Sequence, residues 1–574
     1  MGKGTKVRKA RGAFFTPPEI TRFICDWAVR TATDTVLEPS CGEAAFLLAA
    51  GRRLTDLGST SPGRLHGIEI HEPSANEGLK TLHAAGLNAS ITVADFFDRR
   101  PTPSFDAVIG NPPYIRYQHF GGTARNKSAE AALGAGVRLT GLASSWAAFV
   151  IHACQFLKPG GRLGLVLPAE LLSVNYAAKV RQFLLGRFSR IRVAMFDTRV
   201  FPGVLEDVVL LLAEDCGPPD SFEVFHVRDL SGLAEAEGQA WAGFTLGAID
   251  KWTTALLPQA SFNVYQSLCQ GPGFAPLRRW GETYLGAVTG ANGYFALTQA
   301  EVCAYRLPRL DLVKISPPGA RHLTGLGFDT AQWQAHSEAG KRCWLFYPHI
   351  ETPSAAASAH IALGEHNKVP AAYKCRTRKP WWRVPLVAEP DLLLTYMNHD
   401  RPRLVSNTAG VHILNSLYGV RLHPEHRCLG RSLLPLAAFN SVTLLGAEVV
   451  GRAYGGGLLK LEPREADTLP VPDPATLAAL APELEALLPK ALAALDQGDT
   501  ARVTELVDEV VLSRALGVGP AELLVLHRAK AFLFQRRVQR GRPAAAAEFC
   551  HQEPNALISP PSPSPRRPPP GQDA

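Results

Sequence analysis

The stretch Phe105-Asp106-Ala107-Val108-Ile109-Gly110-Asn111-Pro112-Pro113-Tyr114 is an apolar run that stops abruptly at two prolines. Proline has no backbone N–H and cannot continue a sheet ladder. The chain must therefore leave the strand's carboxyl end in a stiff, extended form. In open α/β sheets that end is where ligands bind. Taken alone, the tetrapeptide Asn111–Tyr114 would also suit a rigid strand-to-loop turn with an incidental tyrosine, so its surroundings decide.

Working outward, short apolar runs alternate with helix-length stretches from about residue 12 to 215. The runs predicted as strands are Thr35–Glu38, Leu65–Ile70, Ile91–Asp95, Asp106–Gly110, Arg162–Leu167, Ile191–Phe196 and Val208–Leu212. Several are continuously apolar, as expected for strands covered on both faces. Pro17 and Pro18 open a helix with Thr16 as its predicted N-cap, and Ile20, Phe23, Ile24, Trp27 and Ala28 repeat along one face. This alternation predicts an α/β domain with a largely parallel sheet over 1–245. From 246 to 475 Gly, Pro, Trp and Tyr are frequent and no βαβ rhythm persists, which predicts a mixed α+β second domain. Residues 476–540 repeat leucine and valine at helical spacing, and 541–574 hold nine of the 45 prolines, reading as a disordered tail.

Composition bounds the function only loosely. The 574 residues are 46% hydrophobic and 20% charged, with 60 Lys+Arg against 52 Asp+Glu for a net +8. That bias permits a polyanionic partner without demanding one. The ten cysteines include no C-x-x-C pair, so neither a disulfide framework nor a zinc knuckle is indicated, and no metal is expected. No apolar run approaches the ~18 residues of a membrane-spanning helix. The basic N-terminus lacks a secretory apolar core. Secreted, membrane, collagenous and wholly disordered classes are set aside in favour of a cytoplasmic protein.

Three further elements fall in register with Asn111–Tyr114. Val36-Leu37-Glu38-Pro39-Ser40-Cys41-Gly42-Glu43-Ala44-Ala45-Phe46 is a strand, a glycine-containing turn and a helix start, an arrangement that lets backbone approach a bound cofactor. Glu69 ends the next strand, where nucleotide folds accept ribose hydroxyls. Asp95-Phe96 ends the third, offering a carboxylate for an adenine amino group beside a ring for the purine face. Alone, the first is a weak signal and each of the other two reads equally well as a solvated strand-end acid; their joint order carries the argument.

As a set these motifs resemble the gamma-class, TaqI-like adenine-N6 DNA methyltransferases of restriction–modification systems. Gly12-Ala13-Phe14-Phe15-Thr16-Pro17-Pro18-Glu19 matches that family's leading motif. Leu157-Lys158-Pro159-Gly160-Gly161 and Val200-Phe201-Pro202 match two later ones. The resemblance covers about residues 12–215 and implies a Rossmann-like S-adenosylmethionine-dependent domain. It places Thr16, Glu38 and Gly42 at the methionine end of S-adenosylmethionine, Glu69 at the ribose, and Asp95 with Phe96 at the adenine. One departure stands out: where the family often has a second glycine, this chain has Glu43-Ala44.

Asn-Pro-Pro-Tyr suits methylation of an exocyclic amine, a poor nucleophile because its lone pair is delocalised into the ring. The Asn111 side-chain carbonyl and the Pro112 backbone carbonyl would accept the two amine hydrogens and turn the lone pair toward the methyl donor. Tyr114 would stack on the flipped base, with Phe201 as the opposite wall. No Pro-Cys dipeptide of the cytosine-C5 type occurs, and Cys41 reads as a packing residue.

Three downstream stretches resemble the target-recognition half of such enzymes: Val288–Phe295, Tyr373–Trp382 and Arg452–Pro463. Between 371 and 403 seven Lys/Arg face three acids, and Lys374, Arg376, Arg378 and Lys379 are the candidate DNA contacts. A solvated basic surface with inward-packed aromatics is the bland alternative, and for Tyr454–Lys460 a flexible hairpin. The cluster Lys3, Lys6, Arg8, Lys9 and Arg11 suits either a DNA-reaching or a solvated arm. With the leading motif near residue 12, no fused nuclease is expected ahead of it. The expected partner is double-stranded DNA, the enzyme a monomer, and any cognate restriction endonuclease a separate chain. Two alternatives stay open at this point: a methyltransferase for RNA or protein glutamine, and a catalytically inactive DNA-binding specificity module.

Overall fold

In the computed structural model the described residues are 16–60, 63–115, 120–196, 200–201, 208–217, 221–227, 229–237, 241–244 and 251–541. The basic N-terminal cluster, Gly12–Phe15, Pro202 and the proline-rich tail after 541 lie outside them.

Nine strands form one sheet: β1 (Val36–Glu38), β2 (Leu65–Glu69), β3 (Ala89–Val93), β4 (Phe105–Gly110), β5 (Leu157–Pro168), β6 (Phe188–Phe196), β7 (Val208–Cys216), β8 (Ser221–Val227) and β9 (Ala242–Phe244). Their order is β3-β2-β1-β4-β5-β7-β6-β8-β9. β1 runs parallel to both β2 and β4, β3 parallel to β2, and β5 parallel to β4. β7 is antiparallel to both β5 and β6, between which it is inserted. The seven predicted strands are all present, and their apolar runs are explained by position: Leu163, Leu165 and Leu167 of β5 and Leu210, Leu211 and Leu212 of β7 are buried at the sheet centre. β8 and β9 extend the far edge and had no clear sequence signal.

Two local expectations change. The first helix, α1 (Pro18–Ala28), is capped at Pro17 rather than Thr16, and no side chain caps it. The Pro17 carbonyl accepts from Ile20 N–H at 3.1 Å and Thr21 N–H at 3.2 Å, so the helix is closed by backbone and the Thr16 hydroxyl is free for another contact. The third predicted strand stops at Val93, which leaves Asp95 outside the ladder, capping the turn Phe96–Asp98.

The second half is mixed α+β. A five-stranded sheet runs Gly281–Leu285, Tyr418–Leu422, Leu392–Leu394, Leu404–Asn407, Gly327–Phe328. One face supports a core of its own, with Phe295, Trp333, Trp344, Phe346 and Val411. Leu392, Leu394, Val420 and Leu433 instead join the apolar core that continues from the nine-stranded sheet. Leu477, Leu484, Val503, Val507, Leu526 and Leu533, from the helical stretch beyond 473, belong to that same continuous core. Burying such side chains is worth roughly 1.5–3 kcal/mol each. Among the described residues no single helix is long and apolar enough to cross a membrane, and no group of three His, Cys, Asp or Glu could hold a metal ion.

Candidate active site

Because β1 lies between β2 and β4, the carboxyl ends of four adjacent strands open on one edge. Glu38 ends β1, Glu69 ends β2, Asp95 follows β3, and Asn111 follows β4. The strand order reverses between β1 and β4, the position where open α/β sheets form a ligand crevice.

Asn111 is held on two sides. Its Nδ2 donates to Thr16 Oγ1 at 3.2 Å, and its Oδ1 lies 2.7 Å from the Tyr114 hydroxyl. That hydroxyl is also 2.8 Å from the Val166 carbonyl oxygen of β5. Thr16, two residues before α1, is buried, and its hydroxyl accepts from Asn111 rather than capping the helix. The Ser40 hydroxyl reaches the Asn111 carbonyl at 3.4 Å and ties the turn after β1 to the same loop. Tyr114 is itself buried, so its ring is turned inward in this structure rather than presented as an open stacking face.

Beneath the prolines sits Ser145, at the start of the helix Ser145–Cys154. Its hydroxyl donates to the Pro113 carbonyl and accepts from Ile115 N–H at 2.8 Å, while its own N–H donates to the Ile115 carbonyl at 3.0 Å. These bonds fix the loop where prolines supply no N–H of their own. Nothing in the sequence marked Ser145, because it contacts the loop from 30 residues away.

On the β1 side, Glu38 is buried, and its Oε2 accepts from Leu47 N–H at 3.1 Å. Burial pushes its carboxyl pKa well above the usual range, the Leu47 bond opposing this and the nearby Glu69 adding to it. Gly42 stands at φ +52°, with no atom within 4 Å of where a Cβ would be. Ala44 follows at φ +67° as the cap of the helix Ala45–Asp56. The position where the resembled family often has glycine thus keeps the left-handed backbone, at a cost of about 1–2 kcal/mol for an L-residue. Cys41 is buried, and burial raises its thiol pKa strongly, which suits packing and not nucleophilic work.

Glu69 accepts the Gly42 N–H on Oε2 and the His71 N–H on Oε1, both at 2.8 Å. It links the turn after β1 to the end of β2, and each oxygen retains a lone pair. Asp95 accepts from Phe97 N–H at 3.0 Å. Phe96 departs from expectation: its ring is buried, with ring centroids 4.8 Å from Phe149, 4.6 Å from His152 and 5.2 Å from Phe156. The Phe96 ring is core, and the Phe96 carbonyl is engaged by Arg99 N–H at 3.1 Å and lies 3.2 Å from His152 Nε2. Ile70, immediately after Glu69, is 68% exposed, an apolar side chain standing open at this edge. Lys127, on the helix Gly122–Gly134, adds a cation 3.7 Å from Asp95 and 2.6 Å from Asp98. Neither Ile70 nor Lys127 was marked by the sequence, since exposure and cross-element pairing leave no local pattern. Phe201 is buried, between two stretches outside the described residues.

In the second half, two stretches distant in sequence meet. Cys375 Sγ lies 3.6 Å from the Thr289 carbonyl, and the Trp381 ring packs 5.6 Å from Tyr294. Of the four basic candidates, Lys374, Arg376 and Lys379 are exposed, the first two beside the 67%-exposed Tyr373. Arg378 does not join them. It turns inward, donating to the Thr289 carbonyl at 2.8 Å and to the Val288 carbonyl, and its partial burial lowers its pKa. The Arg452–Tyr454 and Leu458–Lys460 strands form a hairpin that pairs with Met397–Asn398.

Residues 3–210 match the family model described as N-6 DNA Methylase, and residues 249–512 match that of the C-terminal domain of type II methyltransferase M.Eco57I. The type II methyltransferase M.XamI of Xanthomonas campestris pv. amaranthicola is 26% identical over 490 residues, covering 80% of this chain and 85% of that protein. M.AccI of Acinetobacter calcoaceticus is 21% identical over 467 residues, covering 80% and 84%. Among solved structures, the type IIL restriction-modification enzyme MmeI in complex with DNA shares the fold, with a TM-score of 0.54 at 12% identity over 91% of this chain and 75% of that one. The two models match in tandem, so residues 3–210 belong to the N-6 DNA methylase family and residues 249–512 to the family of the M.Eco57I C-terminal domain.

Proposed function

We propose that this chain transfers the methyl group of S-adenosylmethionine to the N6 amine of an adenine turned out of duplex DNA. The observation that carries the reading is the fixed amide of Asn111. With Nδ2 committed to Thr16, its Oδ1 is an acceptor already engaged by an O–H donor at 2.7 Å. An amine N–H has the same donor chemistry and would take the place of that hydroxyl. The Pro112 carbonyl accepts the second hydrogen, and the nitrogen lone pair is turned out of conjugation. Two neutral, preorganised acceptors of this kind act through orientation and electrostatics.

The strand-end residues suit the cofactor. The buried Glu38 carboxyl suits an ammonium, Glu69 a pair of hydroxyls, Asp95 an amino donor, and the Gly42 turn leaves room beside the backbone. S-adenosylmethionine supplies a sulfonium whose methyl–sulfur bond breaks as the nitrogen–methyl bond forms. The chain's residues hold the amine in line, and the methylated nitrogen would release its surplus proton to water. Tyr114 and Phe201 serve as the walls of the base site, stacking being worth ~1–3 kcal/mol per base in single-strand sites. Lys374, Arg376 and Lys379 contact phosphates. By likeness to the type II methyltransferases, the reaction protects DNA from a cognate restriction endonuclease carried on a separate chain.

Radiolabelled S-adenosylmethionine offered with duplex DNA, RNA and protein tests this, together with modified-base sequencing of DNA from cells expressing the chain. N6-methyladenine at one recurring sequence is expected. Label in protein alone, or methylcytosine in the DNA, would overturn the proposal.

A further inference from the structure

The helix Pro520–Gly541 reaches both halves of the molecule through consecutive residues. Arg536 is 6% exposed, and its Nη2 donates to the carbonyl of Phe196, the last residue of β6, at 3.0 Å. Its Nη1 lies 3.4 Å from His226 Nδ1 on β8, and Phe532, one turn earlier, packs edge-on against the same histidine ring at 6.0 Å. This face of the helix belongs to the nine-stranded sheet.

Arg537 is 4% exposed and points to the other half. It forms a two-pronged pair with Glu448, Nε at 2.9 Å and Nη2 at 2.7 Å, in the helix Ser441–Val450. Its Nη1 donates to the carbonyls of His399 and Gly457. Gly457 stands at φ +75°, and a Cβ there would meet Val538 Cα at 3.1 Å and the Arg537 carbonyl at 3.3 Å. The three glycines of Tyr454–Lys460 are therefore no loose hairpin at their last member: Gly457 is seated on this helix. The same hairpin carries Tyr454, 57% exposed.

Two neighbouring guanidiniums, both almost fully buried, thus hold the end of β6 and the turn of the Arg452–Lys460 hairpin on one helix. Phe196 is followed five residues later by Phe201, the proposed second wall of the base site. Buried, carbonyl-directed arginines with planar donor sets hold orientation as well as position. We propose that Arg536 and Arg537 are positioning residues that couple DNA recognition to capture of the target base, the terminal helix acting as a strut between the recognition hairpin and β6. The inference rests on the reading of this chain as a base-flipping DNA methyltransferase.

The test uses the full chain with Arg536→Gln and Arg536→Lys. The probe is duplex DNA carrying 2-aminopurine at the methylated position, the site being taken from modified-base sequencing with the unsubstituted protein. Thermal unfolding, cofactor affinity, DNA affinity, kcat and 2-aminopurine fluorescence are read together. Arg536→Gln is expected to keep cofactor and DNA affinity within about 3-fold, while kcat and the flipping signal both fall about 10-fold. Arg536→Lys, which retains the charge but replaces the planar fork by a single ammonium nitrogen, is expected to fall between. Unchanged kcat in a folded Arg536→Gln protein overturns the proposal. So does a loss of DNA affinity and melting temperature in parallel with kcat, which marks a role in folding alone. If Arg536→Gln fails to fold, full kcat and flipping in Arg536→Lys overturn it as well. The unsubstituted protein is the control for the underlying reading: failure of the parent to methylate or flip any base in DNA removes that reading, whatever the variants do.

Discussion

The Tyr114 hydroxyl stands 2.7 Å from Asn111 Oδ1 and 2.8 Å from the Val166 carbonyl, so one phenolic proton serves the side chain proposed to hold the target amine and the neighbouring strand. Tyr114 in this state occupies one of the two lone pairs of Oδ1. An amine can take the other or replace the hydroxyl, but stacking on the base requires the buried Tyr114 ring to move.

Asn111→Ala removes the acceptor and is expected to lower kcat by about 10²–10³-fold, the effect of deleting one preorganised hydrogen-bonding group at a reacting centre. Cofactor affinity should change much less, because Asn111 touches only Thr16 of the residues placed at the cofactor, and Glu38, Glu69 and Asp95 are held by other partners. Isothermal titration with S-adenosylmethionine and single-turnover transfer separate the two. Near-normal single-turnover transfer would refute the role given to Asn111.

Tyr114→Phe keeps the ring and deletes the hydroxyl, freeing Asn111 Oδ1. Tyr114→Ala deletes both, and loses stacking worth ~1–3 kcal/mol, about 5- to 150-fold in binding of the flipped base. The expected order of 2-aminopurine fluorescence is therefore Phe equal to or above Tyr, and Ala well below. A Phe variant as defective as Ala would show that the hydroxyl itself is needed for base capture.

The sheet and the core of this site were legible in the sequence for a physical reason. Central strands buried on both faces must be continuously apolar, and Pro112-Pro113 can only follow a strand end, so β1, β4, β5, β6 and β7 announced themselves. The insertion of β7 between β5 and β6 was not legible, since pairing partners far apart in sequence leave no local signature. Phe96 was expected to offer its ring because it follows Asp95. Only the arrival of Phe149, His152 and Phe156 from later elements turns that ring into core. Ser145, Lys127 and Arg536 escaped notice for the same reason: a brace acts across space, and its own neighbours in sequence say nothing about what it holds.

Glu38 links cofactor binding to protons. Burial raises its carboxyl pKa, so the cofactor-free protein holds a proton there at pH values where an ordinary glutamate is ionised. A cationic ammonium placed against it favours the carboxylate, so binding S-adenosylmethionine releases that proton and affinity rises with pH until Glu38 is ionised in the free protein. Calorimetry in buffers of different ionisation enthalpy should report net proton release, absent in Glu38→Gln. Equal proton release in that variant would assign the linkage elsewhere.

Ser145→Ala leaves the partly buried Pro113 carbonyl and Ile115 N–H without their side-chain partner, at a cost of about 1 kcal/mol or somewhat more. Stability should fall by that amount in denaturant titrations. kcat should fall as well, because the loop that carries Asn111 loses its brace. Ser145→Thr, which keeps the hydroxyl, should recover more activity than Ser145→Ala; equal activity in the two would leave the hydroxyl with no part in holding the loop.

The basic residues of the second half should divide by exposure rather than by charge. Lys374, Arg376 and Lys379 are exposed, and Arg378 is engaged with the Val288 and Thr289 carbonyls. For each DNA phosphate that a substitution leaves without its cation, the slope of log affinity against log salt falls by about 0.9 on duplex DNA. Replacing Lys374, Arg376 and Lys379 with alanine should therefore weaken binding to target and non-target duplexes alike and flatten the salt dependence. Arg378→Ala should leave the salt slope nearly unchanged, and should destabilise the fold by about 1–3 kcal/mol by stripping donors from buried carbonyls. It should also blunt discrimination between sequences, since it unfastens Val288–Phe295 from Tyr373–Trp382. Binding titrations at several salt concentrations on a cognate and a scrambled duplex check all of this. A salt slope lowered by Arg378→Ala as much as by an exposed lysine would place that guanidinium on the DNA backbone instead.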